Sequence, residues 1–163
     1  MEALRDILRT FRPVGGETLR VAGTGAEPFA AVDPRALRVE AEAGSSAHLV
    51  VLHTKADAAS LTVALGEGAQ LELTHLFAAE AFAEVSVRQA ARSRCRVTTV
   101  QLTGANASYR IDLDGTEAEN SLGGAFLAAD GEHCVVTLHT AHNVSDCRSD
   151  SAVKGVAGGR AVG

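Results

Sequence analysis

Apolar residues occupy every second position in many short segments of this chain. Leu37, Val39 and Ala41 alternate with charged residues, and the same pattern returns in segments 61–65 and 69–73. A period of two places all the apolar side chains on one face of a β-strand. Similar segments follow at 85–87, 95–97, 111–113 and 134–138, and no long helical pattern interrupts them. The sequence therefore predicts an all-β protein built from half-buried strands.

The first dozen residues have a helical period instead. Their apolar residues recur at spacings of three and four: Leu4, Ile7, Leu8 and Phe11. This spacing predicts a short amphipathic helix that ends before Pro13. Glycine and proline are frequent after it, and the pattern leaves room for one short strand at 19–22. We therefore divide the chain into an N-terminal helix with a Gly/Pro-rich lead-in, residues 1–34, and a strand-rich core, residues 35–163.

A small residue opens successive strands at intervals that are nearly constant. The positions are Ala47, Ala69, Cys95 and Ala118. Intervals on the order of 20 to 50 residues are typical of solenoids, in which stacked units bury a continuous core that no unit could form alone. Two strands per turn of a parallel β-helix fit this interval. A β-sandwich of hairpins fits the alternation equally well, and spacing alone leaves both folds open.

Length and charge limit the function classes. The chain of 163 residues is 46% hydrophobic and can bury one ordinary core. The net charge is −5 and the basic residues are scattered, which argues against a nucleic-acid partner. No apolar run approaches the roughly 20 residues of a membrane span, and the first residues lack the layout of a secretion signal. We therefore expect a cytoplasmic protein that does not bind membranes.

The three cysteines differ in their surroundings. Their odd number and wide spacing do not indicate a disulfide framework. Cys95 and Cys134 lie on apolar strand faces and are expected to be inert. Cys147 lies in a polar turn next to Arg148, so it is the thiol expected to react.

The richest cluster of metal-ligand residue types is Cys134, His139, His142 and Cys147. Zinc favours these residue types. In a strand, however, Cys134 shares a face with Leu138, whereas His139 points the opposite way. This parity argues against a preformed site with four ligands, and His139, His142 and Cys147 remain the candidate metal ligands.

An enzymatic alternative uses other histidines. A metal-binding β-barrel enzyme of the cupin type would need several of them to converge: His48, His53, His75 and His139. Taken singly, each is expected to be a surface or hydrogen-bonded side chain. The chain has no Gly-x-Ser-x-Gly nucleophile motif, and its single tyrosine argues against carbohydrate chemistry. These features predict no catalytic residue and favour a scaffold over an enzyme.

The last third of the chain carries an ordered set of motifs. They are the strand at 109–113, Gly123-Gly124, the strand at 135–139, His142, Ser149, and Lys154-Gly155-Val156 leading to Gly163. This set resembles the SufB/SufD family of iron-sulfur cluster assembly scaffold proteins, and it is closer to SufD. The resemblance implies a right-handed parallel β-helix flanked by helical segments, in agreement with the solenoid interpretation.

The resemblance also implies a function. It predicts a non-enzymatic subunit of a cytoplasmic SufBCD complex, with SufB-like and SufC-like partners, SufC being the ATPase. The iron-sulfur cluster would form at the level of the complex, with no cofactor in this chain. A stand-alone β-solenoid that presents a binding surface is the remaining alternative.

Few site residues transfer through the resemblance. Full family members are more than twice this length, and the segments expected to contact the cluster and the ATPase have no counterpart here. Only structural positions transfer, namely His142, Ser149, Lys154 and Gly155, which are expected to form a tight corner and join coils. A last coil without a cap would expose strand edges, so the chain is expected to form homo-oligomers or to be a piece of a longer protein.

Overall fold

The computed structural model describes residues 2–25 and 27–163, which form one short helix and thirteen strands. The elements are α1 (Glu2–Leu8), β1 (Arg12–Pro13), β2 (Thr18–Val21), β3 (Phe29–Val32), β4 (Ala36–Ala41), β5 (Ser46–His53), β6 (Ala58–Leu65), β7 (Gln70–Phe77), β8 (Phe82–Gln89), β9 (Arg94–Gln101), β10 (Ala105–Leu113), β11 (Glu119–Ala128), β12 (Cys134–His142) and β13 (Arg148–Ala157). No helix in the described part of the chain is long and apolar enough to cross a membrane.

The strands alternate between two parallel sheets. The odd-numbered strands form one sheet in the order β1-β3-β5-β7-β9-β11-β13, and the even-numbered strands form the other. Each turn of the chain therefore adds one strand to each sheet. Hairpins would have paired consecutive strands antiparallel. The chain is therefore a β-solenoid. The all-β solenoid prediction is confirmed, and the β-sandwich alternative is excluded.

Side chains stack in columns along the solenoid because successive coils pair in register. Ser46 pairs with Gln70, and Gln70 pairs with Arg94, which gives a repeat of 24 residues. Of the small residues that suggested the repeat, Ala47 and Cys95 do share one column. Ala69 lies just before β7 and outside that column, so the proposed repeat was correct in size and wrong in phase.

The alternation predicted from sequence places the core between the sheets. In β6, Leu61, Val63 and Leu65 are buried, whereas Thr62 and Ala64 are exposed. Full burial of an aliphatic side chain contributes roughly 1.5–3 kcal/mol to stability. Because β2, β4 and β6 to β10 repeat this alternation, one aliphatic core runs through the stacked coils.

The helix α1 packs on the outer face of the odd-numbered sheet. Leu8 is buried against Val50 and Leu52, and Leu4 and Phe11 are partly buried beside them. Ile7, which the helical period assigned to the same face, is 57% exposed. The helix is only seven residues long, so its apolar stripe is narrower than the spacing indicated.

The lead-in contains more sheet than the sequence predicted. The predicted strand at 19–22 corresponds to β2, which pairs with β4. A further strand, β3, lies between Pro28 and Pro34 and pairs with β5. Both sheets therefore already include strands from the segment assigned to the lead-in.

A left-handed residue recurs at one corner of the coils. It lies two positions before each of five consecutive odd-numbered strands: Gly44 (φ 70°), Gly68 (φ 68°), Arg92 (φ 55°), Glu117 (φ 59°) and Asp146 (φ 61°). This conformation costs roughly 1–2 kcal/mol for an L-residue with a Cβ and little for glycine. The same turn is thus kept in successive coils although its residue changes.

Candidate functional site

The corner between β12 and β13 contains two of the four residues that the family resemblance singled out. His142 is the last residue of β12 and Ser149 is the second residue of β13. The His142 Nε2 atom lies 2.8 Å from the Ser149 Oγ atom. This hydrogen bond joins the two sheets across the corner. The structural role assigned to these residues stays a prediction.

Lys154 and Gly155 lie further along β13 on opposite faces. Gly155 is paired with Phe126 of β11, and a Cβ atom at position 155 would overlap the Phe126 ring. Glycine is therefore required here for packing. Lys154 pairs with Ala125 and is exposed on the outer face.

A surface groove of about 950 Å³ begins at this corner and crosses the strands of the odd-numbered sheet. His142, Cys147 and Ser149 line one end of it. Along the rest of the groove, charged side chains of neighbouring strands form ion pairs, such as Arg94 with Glu119 at 3.3 Å. Such exposed pairs contribute little to stability. Because basic and acidic side chains alternate along it, the groove is a polar surface of mixed charge.

Cys147 is the half-buried thiol of this corner. Its Sγ atom lies 3.3 Å from the carbonyl oxygen of Gly115, to which it donates a weak hydrogen bond. The other two cysteines are buried, and burial raises the pKa of the Cys95 thiol to about 12. The sequence predicted this difference in burial between Cys147 and the other two thiols.

The structure does not bring the four candidate metal ligands together. Cys134 and His142 lie at opposite ends of the nine-residue strand β12. Cys134 is buried and faces the core, whereas His139 is exposed on the other face. Within residues 2–25 and 27–163, no three His, Cys, Asp or Glu side chains are grouped to hold a metal ion. Metal binding by His139, His142 or Cys147 stays a prediction.

The histidines of the cupin-type alternative are also dispersed. His48 lies on the outer face, 3.0 Å from the Thr74 hydroxyl group, and His139 is exposed on the other sheet. Only His53 and His75 meet. A solenoid of parallel strands, furthermore, is not the barrel that this alternative assumed.

His53 and His75 belong to a buried polar cluster inside the solenoid. Its members are His53, His75, Thr99, Gln101 and Tyr109, all 2% exposed or less. The His53 Nε2 atom lies 2.7 Å from the His75 Nε2 atom, and the His75 Nδ1 atom lies 2.8 Å from the Tyr109 hydroxyl group. Phe77 covers both imidazoles, with ring centroids 4.9 and 4.4 Å away. The cluster thus links both sheets through polar contacts within an aliphatic core.

Burial keeps the cluster uncharged. Burial, followed by the neighbouring His53, holds the pKa of His75 well below its usual value. Burial also lowers the pKa of His53, and the carboxylate of Asp33 partly opposes this shift. The pKa of Tyr109 is raised by burial. At neutral pH the hydrogen-bonded chain His53–His75–Tyr109 therefore consists of two neutral imidazoles and a neutral phenol. Its hydrogen bonds can run in either direction, because each group can donate or accept.

This cluster was missed when the histidines were judged one at a time. The alternation Leu71, Leu73, His75, Phe77 already places His75 on the inward face of β7. The same parity places His53 inward on β5. The signal was present in the strand pattern, and only the parallel register shows that the two positions meet.

The comparisons with known proteins identify the family. A family model described as "SUF system FeS cluster assembly, SufBD core domain" matches residues 23–163. Searches of curated proteins and of solved structures returned no significant match. The family match spans nearly all of the solenoid, including the β12–β13 corner. The chain therefore belongs to the SufBD core domain family of the SUF system for iron-sulfur cluster assembly.

Proposed function

We propose that this chain is a SufD-like subunit of a SufBCD complex and acts as a non-catalytic scaffold for iron-sulfur cluster assembly. The family match over residues 23–163 carries this proposal. The assignment to SufD, as opposed to SufB, rests on the residues from His142 to Val156. The cluster is the product of the complex and is not a resident cofactor of this chain.

The architecture suits a scaffold. Stacked parallel coils form a rigid rod with two broad sheet faces, and such solenoids present extended surfaces to protein partners. The SufBCD complex is expected in the cytoplasm, and SufB-like and SufC-like proteins are the expected partners.

The last coils carry exposed apolar side chains that fit a protein contact. Leu127 of β11 is 55% exposed, and its register partner Val156 of β13 is 66% exposed. Exposed apolar residues that lie side by side mark interaction surfaces more often than scattered ones do. We therefore place a partner contact at the β11–β13 end of the solenoid.

Co-purification tests the proposal. The natural full-length protein that contains this sequence should be co-expressed with SufB and SufC from the same cell, and the mass of the isolated complex measured. We expect a defined complex that contains all three proteins. Failure to recover either partner would contradict the proposal. In a parallel co-expression with SufD and SufC, a defined complex with SufD would assign the SufB role.

A pair of variants tests the location of the contact. Val156→Asp should reduce recovery of the complex at least tenfold, because it places a charge in the proposed interface, a loss of about 1.4 kcal/mol or more. Val32→Asp is the matched control, since Val32 is 45% exposed in β3, near the other end of the odd-numbered sheet. Equal recovery for both variants would place the contact elsewhere.

A further inference from the structure

Two buried polar atoms at the end of the polar cluster have no hydrogen-bond partner. They are the Thr99 Oγ1 and Gln101 Oε1 atoms, and both residues are fully buried. A buried polar atom without a partner destabilises a protein, because it has lost its hydration without compensation. Native interiors contain few such atoms, and ordered water serves most of those that occur.

The two atoms lie where the hydrogen-bonded chain of the cluster ends. The chain runs from His53 through His75 to the Tyr109 hydroxyl group. Thr99 is the register partner of His75 in the neighbouring strand β9. On the far side, the Gln101 Nε2 atom donates to the carbonyl oxygen of Val135 at 2.9 Å. The space between the side chains of Thr99 and Gln101, called the gap below, therefore lies between two hydrogen-bonded segments.

The spacing of this gap matches a single small guest. Thr99 and Gln101 are two residues apart on β9 and point inward together. Alternate residues of a strand are about 6.5 Å apart, which lets one molecule with hydrogen bonds of about 2.8 Å on each side bridge them.

The chemistry of the gap selects the guest. A carboxamide oxygen accepts only, so the guest must donate a hydrogen bond to Gln101, and the Thr99 hydroxyl group can donate or accept. Asp33, which acts on His53 at the other end of the chain, is the charged group whose field reaches the cluster among the described residues. The guest is thus neutral, small, able to donate a hydrogen bond to Gln101 and able to donate to or accept from Thr99.

We propose that one internal water molecule bridges Thr99 and Gln101 inside the solenoid. The water donates to the Gln101 Oε1 atom, and the Gln101 Nε2 atom donates in turn to the backbone of β12. The bridge lies beside the hydrogen-bonded segment from His53 through His75 to Tyr109 and extends the polar interior of the solenoid. This inference does not depend on the proposed function.

The sign of one substitution distinguishes a bridged from an empty gap. Thr99→Val has nearly the same shape and removes the hydroxyl group. With a bridging water, the variant loses hydrogen bonds, and the equilibrium constant for unfolding should rise about tenfold. Without one, the variant removes an uncompensated polar atom, and the equilibrium constant should fall. Thr98→Val, on the exposed face of β9, corrects for the change in strand propensity.

A direct measurement decides the matter even if Thr99→Val does not fold. Magnetisation transfer from water to the backbone amides of β9 in the wild-type chain should show a long-lived water next to Thr99 and Gln101. In Thr98→Val this signal should persist. Its absence in the folded wild-type chain, or a more stable Thr99→Val variant, would overturn the proposal.

Discussion

The Nε2 atoms of His53 and His75 lie 2.7 Å apart inside the solenoid, although the residues are 22 positions apart in the chain. They come from adjacent strands of one sheet and share one hydrogen bond under the Phe77 ring. A second proton would place a charge in this apolar environment. The pair therefore links the stability of the fold to pH.

We predict that stability falls as the pH is lowered below about 6.5. Burial lowers the pKa of His75 and of His53 in the folded state, so the unfolded chain binds more protons below the ordinary histidine pKa. Stability is complete above that pKa and is lost as the pH falls toward the folded-state values. The slope should approach about 1.4 kcal/mol per pH unit for each proton. Urea unfolding between pH 8 and pH 5.5 measures it.

His75→Leu should reduce the dependence of the free energy of unfolding on pH, whatever its effect on stability at pH 8. His48→Gln, on the outer face, should leave the dependence unchanged. The carboxylates with lowered pKa values, Asp114 and Glu132, respond only at more acidic pH. An unchanged slope in His75→Leu would mean that the buried pair is not the source of the pH effect.

The second prediction concerns glycine in the last strand. Gly155→Ala should destabilise the chain by about 1–3 kcal/mol, because the new methyl group would overlap the Phe126 ring. Gly123→Ala, in the neighbouring strand β11, meets no atom within 4 Å and should be neutral or slightly stabilising. Thermal unfolding of both variants measures the difference. Adding Phe126→Leu to Gly155→Ala should recover part of the loss, and no recovery would contradict the packing explanation.

The sequence was thus sufficient to predict which residues of a strand face the core, but not which strands pair with one another. The alternation of Leu61, Val63 and Leu65 was sufficient to predict a half-buried strand. It could not distinguish a solenoid from a sandwich, because both bury one face of each strand. The difference lies in whether Leu61 pairs in parallel with Val85, one coil further on, and this depends on contacts that a local pattern does not contain.

The same limit explains the candidate site. Parity correctly separated Cys134 from His139, because both lie in one strand. It did not join His53 to His75, since their contact requires the register between two strands. The strand β3 was missed because four residues between two prolines are too few to show a period.

The third prediction concerns thiol reactivity. In the native chain Cys147 should react with a maleimide or disulfide reagent, whereas Cys95 and Cys134 should react only after unfolding. Cys95 and Cys134 are buried, and burial raises the pKa of both thiols. Mass spectrometry of the labelled chain, with and without urea, counts the modified sites. Labelling of Cys95 before Cys147 would contradict the burial seen in the structure.

The fourth prediction concerns the packing of α1. Leu8→Ala should lower the free energy of unfolding by about 2–3 kcal/mol, because Leu8 is buried against Val50 and Leu52. Ile7→Ala is the matched control in the same helix and should change stability by less than about 0.5 kcal/mol, since Ile7 is mostly exposed. Equal effects of the two variants in chemical unfolding would show that α1 does not pack on the sheet in this orientation.

The recurring corner residue with positive φ has a consequence for chirality. At Gly68 a Cβ atom would meet no close neighbour, so backbone handedness is the obstacle to an L-residue there. A D-amino acid prefers this mirror-related region of the backbone map. In a chemically synthesised chain, D-alanine at position 68 should therefore preserve the corner where L-alanine would strain it. Five successive coils of this solenoid thus contain one corner position whose backbone conformation a D-residue adopts more readily than an L-residue.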